Sequence, residues 1–337
     1  MNPLSICGFS KTGQWYKGNL HCHTTDSDGC LSPAQAVELF RSHGYHFLCL
    51  SDHDIYSDYR SRFNREDFIL LPGIEASAVL VEADGKLRKK VHHMHGILGT
   101  AEMQAQASQP LFHHKEELPA LRHYGTWDGA KVAQQLADSL SSRGMLVTYS
   151  HPVWSRVEEA EFLSTKGLWA LEIYNYGTVN ESYTGYDELH WDSFLRKDRR
   201  LFAFAADDNH NEGVFPDTFG GYIMVKSPEL SHEAIVQNML YGNFYASSGP
   251  QIFDWGIRKG VAYVDCSPVC RIDFIAGNHI NDGCSCLSPS PVDTLTHGEY
   301  RLNGYESYVR VRCSDAFGHT AWSNPIFLNE AQSFSAY

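Results

Sequence analysis

Apolar residues along this chain fall into short runs, and most runs end in a side chain that can bind a cation. "YKGNLHCH" ends at His21 and His23, "YHFLCLSDHD" at Asp52, His53 and Asp54, and "FILLPGIE" at Glu75. "KVHHMHGIL" carries His93 and His95 on one face of a predicted strand, because residues two apart on a strand point the same way. "GMLVTYSH" ends at His151, "LWALEIYN" at Glu172 and Asn175, and "RLFAFAADDNH" at Asp207, Asp208 and His210. Seven strands are predicted. Near-continuous runs of Leu, Ile, Val and Phe suit strands buried on both faces, as in parallel sheets.

Helical patterns lie between these runs. "LSPAQAVELFRSHG" offers Ser32 as N-cap, Pro33 at N1 and Gln35 at N3 to complete a capping box, with Val37 and Phe40 facing inward and Gly44 as the stop. "TWDGAKVAQQLADSLSSRG" sets Val132, Leu136 and Leu140 on one face and stops at Gly144, and "YDELHWDSFLRKDR" gives a third helix. Strands alternating with helices predict a parallel α/β fold. In a barrel of that kind, chemistry sits at the C-terminal ends of the strands, which is where the polar residues recur. From about residue 250 the texture changes to strand-like alternation broken by Gly, Pro, Asn and Asp. The expected organisation is therefore an α/β domain over residues 1–249 and a β-rich appendage over 250–337.

Composition narrows the partners. The formal net charge of −13 repels a long polyanion, so nucleic acid is not expected as a partner, while a small anion stays admissible if the site brings its own cations. No apolar run is long enough to span a membrane, and the first twenty residues lack the basic start and apolar core of a signal peptide. The nine cysteines are scattered and odd in number, which fits a reducing compartment; a cytoplasmic location is expected. Cys266, Cys270, Cys284 and Cys286 lack the paired Cys-x-x-Cys spacing of zinc ribbons and read as core or turn residues. "KLRKK" (86–90) follows Asp84-Gly85 and reads as a solvated hairpin. "HHKEELPALRHYG" (113–125) is expected to form part of a loop over the site. His21 and His23, alternate residues on one strand, present two imidazoles side by side, a pairing that suits a metal ion.

Taken together the motifs resemble the polymerase and histidinol phosphatase (PHP) family of metallohydrolases. His21-x-His23 with Asp28, Ser51-Asp52-His53, Pro72-Gly73-x-Glu75, His151-Pro152 and Asp208-x-His210 match its motifs across residues 19–210. "HPVWSR", "LEIYN", "ADDNH", "GNFYASSGP" and "AWSNPIF" are similar to the CehA/McbA-like branch. The resemblance implies a distorted (β/α)7 barrel holding two or three divalent ions. One would take His21, His23, Glu75 and Asp208. A second would share Glu75 and add His95 and His151. A third would use Asp28, His53 and His210. His93 and His95 share a face, so either can ligate; the resemblance favours His95, beside "GIL". Mixed imidazole and carboxylate ligands suit Zn, Mn or Fe.

The activity so implied is hydrolysis by a metal-activated water, with Glu75 and Asp208 central to catalysis and no Ser or Cys nucleophile. Dications would outweigh the carboxylates and leave a positive pocket for a small phosphorylated substrate. Asp52 or Asp207 would orient ligands. Arg156 is a candidate for gripping an anion, or a surface arginine. Glu172 and Asn175, at a strand rim, are candidates for touching substrate. Hydrolysis of a carbamate or carboxylic ester by the same metals is the alternative. A non-catalytic binding module is disfavoured, because no ligand is missing.

Overall fold

Seven strands carry the predicted runs: β1 (Gln14–Asn19), β2 (Phe47–Leu50), β3 (Ile69–Val81), β4 (Arg88–Leu98), β5 (Met145–Tyr149), β6 (Leu168–Asn175) and β7 (Phe202–Ala206). This is a computed structural model, and it describes residues 4–277, 279–290 and 292–328. The strands are hydrogen-bonded in the order β7-β6-β5-β4-β3-β2-β1, so chain neighbours are also spatial neighbours. The fold is mixed α/β.

Most neighbours run parallel, as the continuous apolar runs predict. Strand β4 is the exception, antiparallel to both β3 and β5. The cause is local. Asp84-Gly85 makes a tight turn, with Gly85 at φ 77° and Glu82 N donating to Leu87 O at 2.8 Å, so β4 has to return along β3. The two ends of the seven-strand run also meet. Beyond β1 and β7, Asp208 N donates to His21 O (3.0 Å) and His23 N to Asn209 O (3.1 Å).

Helix α1 (Pro33–Ser42) has the predicted capping box: Gln35 N donates to the Ser32 side chain, and Ser32 N to the Gln35 side chain. It buries Ala36, Val37 and Phe40. Helix α2 (Gly129–Ser141) buries Val132, Leu136 and Leu140 in the main core with Met145 and Phe162. Helix α3 is Glu188–Leu195. A fourth, α4 (His232–Leu240), capped by Ser231, buries Ile235, Val236 and Met239; it was not among the predicted helices. No helix among the described residues is long and apolar enough to cross a membrane.

Past residue 250 the described chain is strand and turn. The large sheet continues from β1 through Tyr222–Ser227, Phe244–Ser247, Thr320–Ser323, Tyr308–Ser314, Arg271–Ala276 and Cys284–Leu287. A four-stranded sheet of Ile6–Cys7, Ile252–Arg258, Val261–Val269 and Leu295–Arg301 completes this region, and Trp255, Ile257, Val264, Ile272 and Val311 share one apolar core. Arg310, wholly buried, ties this region to α3 through Glu188 (2.8 Å) and Asp192 (2.7 Å).

Candidate metal centre

Side chains on or just beyond the strands converge on the carboxylate of Glu75, which is wholly buried at the middle of β3. His21 Nε2 and His23 Nε2, just past β1, lie 2.9 and 3.0 Å from Asp208 Oδ1. They lie 3.2 and 3.4 Å from the two Glu75 oxygens. On the far side, Glu75 Oε1 is 3.2 Å from His93 Nδ1, 3.3 Å from His151 Nε2 and 3.6 Å from His95 Nε2. A third group gathers at the mouth, where Asp28 faces His210 Nε2 (3.4 Å), His53 Nε2 (3.6 Å) and His23 Nδ1 (3.8 Å). Backbone strain accompanies the convergence. His151 (φ 26°) and Asp208 (φ 54°) hold left-handed backbone, a conformation that costs on the order of 1–3 kcal/mol per residue and clusters at functional sites.

These donors fit divalent ions. Sets of three or four, including His21 with His23 and Asp208, and His23 with Asp28, His53 and His210, place one ligand atom each within 4.8 Å of the others. His53 Nδ1 comes within 2.9 Å of Glu75 Oε2 and His93 Nδ1 within 3.2 Å of Oε1. Yet His53 Nδ1, His93 Nδ1, His23 Nδ1 and Glu75 Oε2 are all buried without a hydrogen-bond partner. Lone pairs brought close but aimed past one another are aimed at a shared point, as ligands are. Orphaned buried atoms of this kind are otherwise costly.

Electrostatics set the protonation states. Burial pushes His23 down to about 3, helped by His53 and His210, and pushes His93 down to about 4. Burial opposes charge on His151 and His210 too, but the Glu75 and Asp208 carboxylates raise His151 to about 9, and Asp28 and Asp208 raise His210 to about 9. For Glu75, burial favours the neutral acid, but the imidazoles of His93, His21 and His53 hold it well below the usual carboxylate range. Asp208 is likewise lowered against its burial, by His21 above all. The carboxylates are therefore ionised at neutral pH.

Around the ligands stands a set of orienting groups. Glu172 Oε1 lies 3.0 Å from His21 Nδ1, fixing the ring so that Nε2 faces the centre. Ser155 Oγ does the same for His151 Nδ1 at 3.2 Å. Asn175 Nδ2 donates to Asp208 Oδ2 and to Glu172 Oε2, both at 3.0 Å. Glu172 and Asn175 were candidates for touching substrate; both are wholly buried and neither lines the cavity over the centre, so they hold ligands instead. Asp52 accepts from Thr24 N and Ser27 Oγ, both at 2.8 Å, and so braces the turn that carries Asp28. Asp207 accepts from Phe219, Gly220 and Gly221 N at 2.8, 2.9 and 2.8 Å, and burial raises it to about 7. Neither Asp52 nor Asp207 faces the metal-ligand groups.

A cavity of about 460 Å³ opens over the centre, lined by Asp28, His53, His93, His151, Asp208 and His210 among others. Both His93 and His95 reach Glu75, but His93 is the nearer and the one that meets the cavity. Arg156 is exposed and does not line it. Its place as the available cation is taken by Arg88, from the hairpin read as merely solvated, and by Arg122, from the segment expected to overlie the site. The second lies in the segment that the sequence placed over the site; the first was hidden by a one-residue register irregularity.

No family model matches the chain, and no curated protein matches it. Among solved structures it is similar to a two-domain protein "containing predicted PHP-like metal-dependent phosphoesterase" from Bacteroides vulgatus, with 11% identity over 97% of this chain and 98% of that one and a TM-score of 0.46. It is also similar to an amidohydrolase from Chromobacterium violaceum with bound sulfate and no metal, with 15% identity over 67% of this chain and 96% of that one and a TM-score of 0.38. With identities and TM-scores this low, the functional reading rests on the site itself.

Proposed function

We propose that the chain is a PHP-type metal-dependent hydrolase, a phosphoesterase acting on a small phosphorylated molecule. The observation that carries this reading is the meeting of imidazoles and carboxylates from several neighbouring strands around one buried glutamate. In this reading the seven strands act as a distorted (β/α) barrel of PHP type, and two or three Zn, Mn or Fe ions sit at its mouth. His21, His23 and Asp208 hold one ion with Glu75. His151 and His93 or His95 hold a second with Glu75. Asp28, His53 and His210 hold a third. When bound, such ions supply Lewis acidity and a water of lowered pKa.

The chain's own residues set the conditions for that chemistry. Glu75 offers one oxygen toward His21, His93 and His151 and the other toward His23 and His53, which suits a bridging carboxylate. Glu172, Ser155 and Asn175 fix ligand orientation, so little reorganisation is needed on binding. Asp28, at the open side, is the ligand nearest an incoming ester; its side chain is 55% exposed, whereas that of Glu75 is 0% exposed. The acidic surface disfavours long polyanions, so the substrate is proposed to be compact. The nine unbridged cysteines suit a cytoplasmic protein.

The test is a substrate panel of aryl phosphates, nucleotides, sugar phosphates, oligonucleotides and aryl carbamates, each with Mn, Zn or Fe. Turnover of small phosphomonoesters, abolished by chelator and by His21→Ala, is expected. Turnover confined to carbamates would move the substrate class while leaving the metal site, and turnover confined to oligonucleotides would overturn the size argument.

A further inference from the structure

The cavity has a second set of charges, far from the metal ligands. Arg88 and Arg122 line it, both exposed, and among the described residues neither side chain has an ion-pair or hydrogen-bond partner. The strand ladders account for their placement. Glu75, Ser77, Val79 and Val81 point to one face of β3, and Ser77 and Val79 line the cavity. Arg122, on Leu121–Tyr124, stands opposite Val79. Arg88 stands opposite Val81 because the ladder slips between Leu80 and Val81; the regular register from Leu80 and Lys90 would have set Lys89 there. A bulge re-aims a side chain in this way.

Between the centre and the arginines the wall is apolar. Val79, Val81 and Val91 form a small buried cluster with Trp154 packed on it. Trp154 lines the cavity, its indole held by Glu181 at 2.6 Å. Glu181, beside Trp154, and Glu212 also line the cavity and repel an anion toward the arginines. From Glu75 to Val79 and Val81 is four and six residues, about 13 and 20 Å along an extended strand. Even allowing for the reach of an arginine side chain, a group held there is not the one bound at Glu75.

We propose that the site takes an elongated substrate bearing a second anionic group, a carboxylate or phosphate, remote from the scissile ester. Arg88 and Arg122 grip that group through charge-assisted hydrogen bonds, and an apolar spacer lies on Val79 and Trp154. The inference rests on the phosphoesterase reading only for the identity of the near anion.

Calorimetry on the Mn-loaded protein tests it with four probes. These are phenylphosphonate, a phenylphosphonate carrying a carboxylate about 13 Å away to match the strand spacing, its neutral amide counterpart, and an α,ω-dicarboxylate of the same length. The carboxylate-tailed phosphonate should bind about tenfold more tightly than the amide, the gain expected of one charge-assisted contact. Arg88→Ala with Arg122→Ala should erase that gain and leave phenylphosphonate unchanged. A gain under about twofold, or one that survives in the double variant, overturns the second-anion site. If no phosphonate binds but the dicarboxylate does, with the same arginine dependence, the phosphoester reading falls and the second-anion site stands. If nothing binds, the second-anion site falls too.

Discussion

Glu172 does not line the cavity, yet its Oε1 lies 3.0 Å from His21 Nδ1 and its Oε2 accepts from His151 N at 3.2 Å. Glu172→Gln keeps the shape and removes the charge that fixes the His21 tautomer. Ion affinity should fall about 10–100-fold, read by competition with a chromophoric chelator; unchanged affinity would contradict the orienting role. Proton competition gives a second expectation. His151 and His210 hold protons up to about 9, and His21 is also raised well above its usual value, with burial opposing and the Asp208 and Glu75 carboxylates prevailing. An ion must displace those protons, so affinity should climb as pH rises from about 6 and level off above about 9. His23 and His93, pushed down to about 3 and about 4, are already neutral there. The carboxylates of Glu75 and Asp208 are already ionised. Calorimetric titrations in buffers of different protonation enthalpy measure the proton release, and a flat affinity across that range would contradict it. At this scale most of the cation-binding side chains were legible because they end apolar runs. Glu172 and Asn175 are buried against His21 and Asp208, and a strand pattern cannot say whether its last residue opens to a cavity or is covered.

The turn that carries Asp28 depends on a residue with no side chain. A Cβ on Gly29 would lie 2.5 Å from the His23 carbonyl carbon and oxygen. Those are backbone atoms, so Gly29→Ala must push the turn away from the Asp52 brace and withdraw Asp28 from His53 and His210. The expected result is the loss of one bound ion per chain with little change in far-ultraviolet circular dichroism; full ion content would contradict it. Elements whose signals are local were read correctly, as the Ser32–Gln35 box at the start of α1 shows. The direction of β4 does not follow from apolar content, which does not distinguish a strand entered through a crossover from one entered through a short turn. The turn signal, Asp84-Gly85, was present but was not carried through to strand direction. Helix α4 went unread, although Ser231 ahead of Ile235, Val236 and Met239 is an ordinary start signal.

Across the whole molecule, one buried site is surrounded by an acidic surface with a formal charge of −13. The β-rich region beyond residue 250 is joined to the α/β part by a shared sheet and by the ion pairs of its Arg310 with Glu188 and Asp192 of α3, so the scaffold behind β6 is braced from outside. This brace could not be read from the sequence, because it pairs residues more than a hundred positions apart. All of this matters to function only if the converged ligands bind metal. Elemental analysis of protein purified without chelator and supplied with Zn, Mn or Fe, beside a Glu75→Gln variant, is the most direct measurement. Two or three ions per chain in the wild type, with at least one lost in the variant, is the predicted result. Fewer than one ion per chain in the wild type would contradict the account.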